Sequence, residues 1–526
     1  MRKFSIVMKD RKGNYINSDF TSLLQVIGFS KSAIGGPLWA RLRMNSTNED
    51  YAAELVNALR YPIEIYDVET GEKVWWGIVS EMRIPIGVGA SFSIGLSLER
   101  LFNYVKIVYS YSPPGGGAAE YRETAWANDA SSVTEYWRKE KIISSSASSD
   151  MAAASKRDTI LAIGKVPTPK LDFSGLEFPE IDCIGYWETL SWVYYLHLAG
   201  VEANAAGGEE QDLGKIAGNT KIYQKIINNS GESWMAYNIS IYASTFGTPT
   251  DNLIVQLCAN NAGVPGTVLA TATIPASEIE SGTQKITKDF STPVTFELAT
   301  TYFLVVSRSG ALSSVNHYKI GVDEGLSYTS GEMRLWNGSS WVTRVPDADL
   351  KFHLGGVYET SRQLTEVINE SAQFDIGVEV TDASGLYSSQ YRDGSRNAKE
   401  EAEELMITGT SGLVRYVGGV DEDLHVRIYA EPAEWIARST ASNIRMDKNG
   451  NIFGMVSNTP VPNCFCPVGV WCELVSRTPV VDAIQSTEDQ FMFFIDSAEY
   501  NAEDDSYKPQ PRASVSDIEQ ITGFGL

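Results

Sequence analysis

A chain of 526 residues is long enough for several domains of about 100–200 residues each. Its 43% hydrophobic, 11% aromatic and 21% charged residues exclude a disordered or collagen-like chain, and short runs rich in Thr, Val, Ile and Tyr favour β structure. With 66 acidic against 43 basic side chains the formal net charge is −23, which argues against nucleic-acid recognition and against an anionic membrane as partner. No run of about 18 apolar residues is present, so no membrane insertion is expected. Charges at Lys9, Asp10, Arg11 and Lys12 leave no room for the apolar core of a secretory leader.

The first segment, 1–112, ends at the breaker Pro113-Pro114-Gly115-Gly116-Gly117. Within it 45–60 reads as a helix capped by Ser46 or Thr47, with Leu55, Val56 and Leu59 on one face and Pro62 forbidding its continuation. The alternating run 62–68, the turn Glu69-Thr70-Gly71-Glu72 and the returning run 73–79 predict a hairpin, and further strands are expected at 92–98 and 105–111. One helix among several short strands suggests a small β-barrel.

Residues 113–200 read as a mixed α/β segment. Asp150 is a good N-cap for a helix over 151–163, with Gly164 just past its end. The aromatic stretch 186–195 is expected to be a packed core strand. Small residues at 203–208 suit a domain junction, and the chain from 215 to 356 is nearly all β. Strands expected at 236–242, 253–258, 294–298, 302–306 and 350–354, separated by turns such as Asn261-Ala262-Gly263 and Trp336-Asn337-Gly338, predict an antiparallel β-sandwich. Residues 357–526 then combine helices and strands: Leu364, Val367, Ile368 and Ala372 fall at helical spacing. A second helix over 397–407, capped by Ser395, turns Ala398, Ala402, Leu405 and Met406 inward. Asn449-Gly450 joins two short runs in a type I′ hairpin, and a second barrel-like unit is the natural reading.

Chemistry-bearing motifs are scarce. The sequence has no Gly-x-Ser-x-Gly elbow, no phosphate-binding Gly-x-x-x-x-Gly-Lys-[Ser/Thr] loop and no His-Glu-x-x-His. Cys464, Cys466 and Cys472 cluster, but no histidine lies near them to complete a zinc site, and Cys183 and Cys258 read as small core residues. Asp447-Lys448-Asn449-Gly450-Asn451 lacks the Gly and Glu that a calcium loop needs at its sixth and twelfth positions. His353 and His425 read as strand residues, and Glu400, Glu401, Glu403 and Glu404 as the solvated face of a helix. No catalytic residue, cofactor or metal is therefore expected, although geometry alone could define a carboxylate pair of the glycosidase kind.

Two resemblances add to this reading. Tyr66-Asp67-Val68-Glu69-Thr70-Gly71 leading into Trp75-Trp76-Gly77-Ile78-Val79, followed by Leu101-Phe102-Asn103-Tyr104-Val105, resembles the hub proteins of bacteriophage tail tips. Tyr186-Trp187-Glu188-Thr189-Leu190-Ser191-Trp192, Tyr391-Arg392-Asp393-Gly394-Ser395, Cys466-Pro467-Val468-Gly469-Val470-Trp471 and Phe494-Ile495-Asp496-Ser497-Ala498-Glu499-Tyr500 resemble later parts of the same proteins, in the same order. That resemblance implies a trimeric ring below the tail tube, each subunit contributing two similar barrels. The second resemblance covers Leu253-Ile254-Val255-Gln256-Leu257, Gly263-Val264-Pro265-Gly266-Thr267, Phe290-Ser291-Thr292-Pro293, Thr301-Tyr302-Phe303-Leu304-Val305-Val306 and Asp349-Leu350-Lys351-Phe352-His353-Leu354. It is similar to a surface-protein β-sandwich of the carbohydrate-binding-module kind. Aromatics stack on sugars, so that resemblance makes His317, Tyr318, Tyr328, Trp336 and Trp341 candidates for glycan contact. For Trp336 and Trp341 the plainer alternative is a cross-strand pair flanking a hairpin turn.

The expected fold is thus mainly β with a few helices and multidomain: two hub-type barrel units flanking a mixed α/β segment, with an inserted sandwich. The expected function is a non-enzymatic virion protein of the tail tip, made in the host cytoplasm. Its expected partners are further copies of itself in a ring, the tail tube and distal tail proteins, fibre or spike proteins, and a host-surface glycan. The alternatives are a hexameric distal tail protein, a carbohydrate-binding adhesin and a tail-associated glycan hydrolase.

Overall fold

The structure is a computed structural model. It describes residues 3–431 apart from 17–20, 47–54, 87–91, 112–119, 148, 174–175, 198–199, 375–376, 382–385, 390, 411 and 413, and beyond these 436–439, 445–446, 452–453, 471–474 and 491–511 without 504. The protein is mainly β with a few helices and folds as two compact units. The first comprises residues 1–195, 364–386 and 396–526, and the second 196–363 and 387–395.

The first unit is built on one extended sheet. Its strands lie in the spatial order Phe4–Met8, Pro62–Asp67, Lys73–Pro85, Glu180–Ile184, Ile34–Met44, Leu24–Ser32, Phe491–Asn501, Trp471–Leu474 and Ile436–Ser439. The expected hairpin forms, with Ile63 opposite Gly77 and Ile65 opposite Trp75. Period-two alternation buries Ile63 and Ile65 and turns Glu64 outward. Gly77 has a physical reason: a Cβ there would sit 2.1 Å from the Ile184 carbonyl oxygen and 2.5 Å from Trp75 Cη2. The segments expected to make separate barrels share this sheet. Gly28–Ser32 pairs antiparallel with Asn501–Ser497, and Ile34 and Gly35 pair in parallel with Gly418 and Gly419. Each set of strands presents an edge, and the two edges satisfy one another.

Several local expectations are corrected. Residues 47–54 of the expected first helix lie outside the described residues; at its end Leu55, Ala58 and Leu59 are buried, whereas Val56 faces out. Ser149, not Asp150, caps the helix Asp150–Gly164, its hydroxyl accepting from the Ala152 N–H. Asn397, not Ser395, caps Ala398–Thr408, and with Glu400 it completes a reciprocal capping box. The inner face Ala398, Ala402, Leu405 and Met406 is buried as expected, but Glu401 is buried too, beside Arg396. The stretch Tyr186–Trp192 is a 3₁₀ helix instead of a strand, and Tyr186, Trp187, Leu190 and Trp192 do enter the core. His425 precedes the strand Val426–Ala430, while His353 lies within Phe352–Glu359. Cys183 and Cys258 are buried; Cys464 and Cys466 and the turn Asn449-Gly450 lie outside the described residues, though the strands Arg445–Met446 and Ile452–Phe453 do pair.

A small second sheet belongs to the same unit. Tyr104–Tyr111 pairs in parallel with Glu140–Ser146 and antiparallel with Glu120–Glu123. The helix Asp150–Gly164 places Ala153 against Ile107 and Tyr109.

The second unit is an antiparallel β-sandwich. One sheet orders Val201–Asn204, Phe352–Glu359, Trp234–Phe246, His317–Asp323 and Glu209–Leu213. The other orders Val264–Ile274, Leu253–Asn261, Thr301–Arg308, Lys221–Ile227, Met333–Trp336 and Trp341–Thr343. Ile239, Ile241, Leu253, Leu257, Phe296, Leu304, Ile320 and Phe352 fill the common core. The unit is wider than the expected 215–356, because the small residues at 203–208 do not all form a junction. Ala203 and Asn204 pair with His353 and Phe352, and Glu209 begins a strand against Val322. Chain entry and exit meet: Val201 pairs with Gly355, and the Gly356 N–H donates to the Gly200 carbonyl.

Two substitutions test this account. Gly77→Ala should abolish folding of the first unit or lower its stability by more than about 3 kcal/mol, since backbone blocks the new methyl. Asn397→Ala should lower stability by only about 1 kcal/mol, the loss of one cap. Calorimetry of both variants would check the contrast.

Candidate functional site

The five aromatic candidates have different fates. His317 is buried, its Nε2 3.1 Å from Asp212 Oδ1 and its ring stacked on Phe246 at 4.7 Å. Tyr318 is buried and donates its hydroxyl to the Asp251 carbonyl; burial raises its pKa to about 12. Tyr328 is 7% exposed, packs edge-on to Phe352 at 5.3 Å and accepts the Ile227 N–H through its hydroxyl. None of these three offers an open ring face to a sugar. The reason is alternation along one strand: Tyr318 turns into the sandwich core, and His317, on the opposite side, is covered by the Phe246 ring.

Trp336 and Trp341 are the partly exposed pair. They face each other across the hairpin Met333–Trp336 and Trp341–Thr343, ring centroids 5.2 Å apart and edge-on. Asn337 forms the turn by accepting the Ser339 and Ser340 N–H groups, and Gly338 takes a φ of +98°. The cross-strand pair foreseen as the plainer alternative is therefore present. The pair also continues inward. Trp341 stands 4.6 Å from Tyr223, and Tyr223 4.9 Å from Phe303, both on the outward side of the six-stranded sheet.

Residues missed at the sequence level complete this face. In Lys221–Ile227, Ile222, Gln224 and Ile226 point into the core, so Lys221, Tyr223 and Lys225 point out. Register sets Tyr223 opposite Arg334, and Arg334 binds Glu332 at 2.9 Å. Burial is the main cause raising the Tyr223 pKa, with Arg334 opposing it. Strict alternation in Lys-Ile-Tyr-Gln-Lys-Ile-Ile was the available signal.

Behind the same sheet lies an acidic contact. Asp323 and Asp349 are directly opposed across two strands, and both are buried. Asp323 is relieved by the N–H groups of Ser327 and Gly325, which hold its pKa down. Asp349 is 1% exposed and accepts from Gln224 Nε2 at 3.2 Å. Loss of hydration dominates there and raises its pKa to about 6.

In the first unit, a cleft of about 410 Å³ is lined by Ser80, Glu81, Lys139, Asp182, Glu188 and Trp192, among others. Two of its acids are closely paired: Asp182 binds Arg41 at 2.7 Å and Arg83 at 3.0 Å, and Glu188 binds Lys399 at 2.9 Å, while Glu81 stands 4.0 Å from Arg83 and Glu99 also lines the cleft. Lys139 donates to the Leu98 and Glu99 carbonyls, and burial lowers its pKa to about 8. Among the described residues, no three His, Cys, Asp or Glu side chains gather as a metal site.

No protein-family model matches the chain, and no curated protein matches it. Among solved structures, the mosquito-larvicidal Cry4Aa toxin of Bacillus thuringiensis aligns at 8% identity and a TM-score of 0.15, over 65% of this chain and 58% of the toxin. A Bacillus thuringiensis Cry1Da tryptic core variant aligns at 8% identity and a TM-score of 0.14, over 57% of this chain and 51% of that one. The chain thus spans just over half the length of these toxins, and likeness at this level carries no argument about fold or function.

Asp349 makes a pH prediction. Its folded pKa of about 6 exceeds the ordinary 3.8, so its stabilising contribution is full below pH 4 and is lost as pH rises through 6. Asp349→Asn should remove that slope, so the variant's stability relative to the parent should rise between pH 4 and 7 by up to about 3 kcal/mol. Thermal melting across that range would check it; a constant difference would refute it.

Proposed function

We propose that this chain is a structural subunit of the tail tip of a long-tailed bacteriophage. It forms a ring, a trimer in our reading, that joins the tail tube to distal tail and fibre or spike proteins, and it performs no catalysis. The sandwich serves as a peripheral adhesion module for host-surface glycan. One observation carries the reading. The two flanking segments hold the hub-like patterns in order and, apart from 196–200, 357–363 and 387–395, build one compact unit, while the first and last strands of the sandwich stretch 196–363, Val201–Asn204 and Phe352–Glu359, pair with one another.

Physical requirements agree with this reading. A closed ring needs surface edges that pair between copies in rotational symmetry. A weak glycan contact repeated around a ring becomes useful through avidity.

Copy number in isolated particles is the decisive measurement. Three copies support the hub; six would move the assignment to a distal tail protein, and absence from any particle would favour a free carbohydrate-binding adhesin. A second test replaces residues 196–359, the sandwich up to the helix Thr360–Ser371, with a short flexible linker. The remaining unit should fold and assemble while adsorption to host cells weakens; failure to assemble would count against a peripheral module.

A further inference from the structure

The outward side of the six-stranded sheet combines three features rarely wasted on solvent. The first is a continuous aromatic file. Trp336 and Trp341 are partly exposed, Trp341 contacts Tyr223, and Tyr223 contacts Phe303, with centroid separations of 5.2, 4.6 and 4.9 Å. The second is an unanswered polar group: the Tyr223 hydroxyl is buried beneath Trp341 and has no hydrogen-bond partner among the described residues. A buried hydroxyl in that state costs about 1–3 kcal/mol unless something bonds it.

The third feature is charge. Lys221, Lys225 and Arg334 project from the outward positions of adjacent strands, and Glu332 is the acid beside them. Glu332 is already taken by Arg334 at 2.9 Å, and neither Lys221 nor Lys225 has a carboxylate partner among the described residues. On a chain of net charge −23, with 66 acids available, a face with two unneutralised lysines is a local reversal of sign.

We propose that this face binds an anionic polysaccharide. A pyranose ring lays its C–H face on the exposed indoles, and Lys221 and Lys225 meet its carboxylate or sulfate groups. The sugar hydroxyls reach the Arg334–Glu332 pair and, with a small shift of Trp341, the Tyr223 hydroxyl. Aromatic faces combined with cations and a paired hydrogen-bonding group suit a ligand that is apolar on one side, hydroxylated at its rim and negatively charged. An acidic polypeptide would use the lysines but leave the two indoles without a matching flat partner. The proposal rests on the reading of the sandwich as an adhesion module and adds the sign of its ligand and the residues that meet it.

Affinity electrophoresis of the whole protein tests it, with polygalacturonate, dextran sulfate, neutral dextran or poly-L-glutamate cast into the gel. Retardation by polygalacturonate or dextran sulfate is expected, and which of the two is stronger distinguishes uronate from sulfate recognition. Trp341→Ala should weaken it about tenfold, an effect of ~1.4 kcal/mol. Because that indole also packs on Tyr223, the surface variant Lys221→Glu/Lys225→Glu is the companion: it should weaken retardation at least as much with an unchanged melting temperature. Equal retardation by neutral dextran, still dependent on Trp341, would overturn the charge inference and leave the adhesion reading standing. Equal retardation by poly-L-glutamate with no effect of Trp341→Ala would reduce the face to a plain ion exchanger and overturn the proposal. No retardation by any of the four would remove both this inference and the adhesion role, while the ring assignment would still be judged by copy number.

Discussion

The pairing of Gly28–Ser32 with Asn501–Ser497 governs the architecture of the first unit. It joins strands almost the whole chain apart in sequence, and a closure of that span carries an entropic cost that grows only with the logarithm of its length. Long excursions between the paired strands are therefore tolerated, provided that each returns to where it left. The sandwich meets that condition through the Val201–Gly355 pairing and the Gly200–Gly356 hydrogen bond.

Close approach is the second constraint, and it acts at single residues. The strands Lys73–Pro85 and Glu180–Ile184 can lie as they do because Gly77 has no side chain where the Ile184 carbonyl and the Trp75 ring converge. The Trp-Trp-Gly pattern thus has a packing explanation independent of any resemblance. Its first indole fills the interior and its glycine gives that indole room. A motif of this kind reports on the sheet's geometry before it reports on function.

Legibility followed the same physics. Period-two alternation located the 62–79 hairpin and the main strands of the sandwich, because one buried face imposes a binary pattern on the sequence. The helix Ala398–Thr408 was visible down to its inner face, yet its cap was misplaced by two residues, since Ser395 and Asn397 are both competent and only Asn397 is matched by a Glu at the right distance. The 3₁₀ form of Tyr186–Trp192 was hidden because a dense aromatic run has no period to read. Small residues at 203–208 mimicked a linker, although Ala203 and Asn204 are strand residues held by Phe352 and His353. Among the aromatic candidates, sequence alone could not say which rings were covered. Coverage of His317, Tyr318 and Tyr328 comes from partners far away in the chain, while Trp336 and Trp341 keep an open side because their strands form the edge of the sheet.

That edge position also explains why the aromatic face and the cationic residues coincide. An edge hairpin has side-chain neighbours in its own row on one side only, so its outward indoles pack laterally on that side and stay partly open on the other. Trp341 does both: it leans on Tyr223 and keeps part of its surface in water. Lysines beside an exposed edge are a common guard against strand addition from other chains, and Lys221 and Lys225 sit one strand in from it. Guarding is the task of the edge strand itself, however, and Lys221 and Lys225 lie on a strand already paired on both sides. Choosing cations here, around an aromatic file with an unbonded hydroxyl at its base, is what separates a protected edge from a face shaped for an anion.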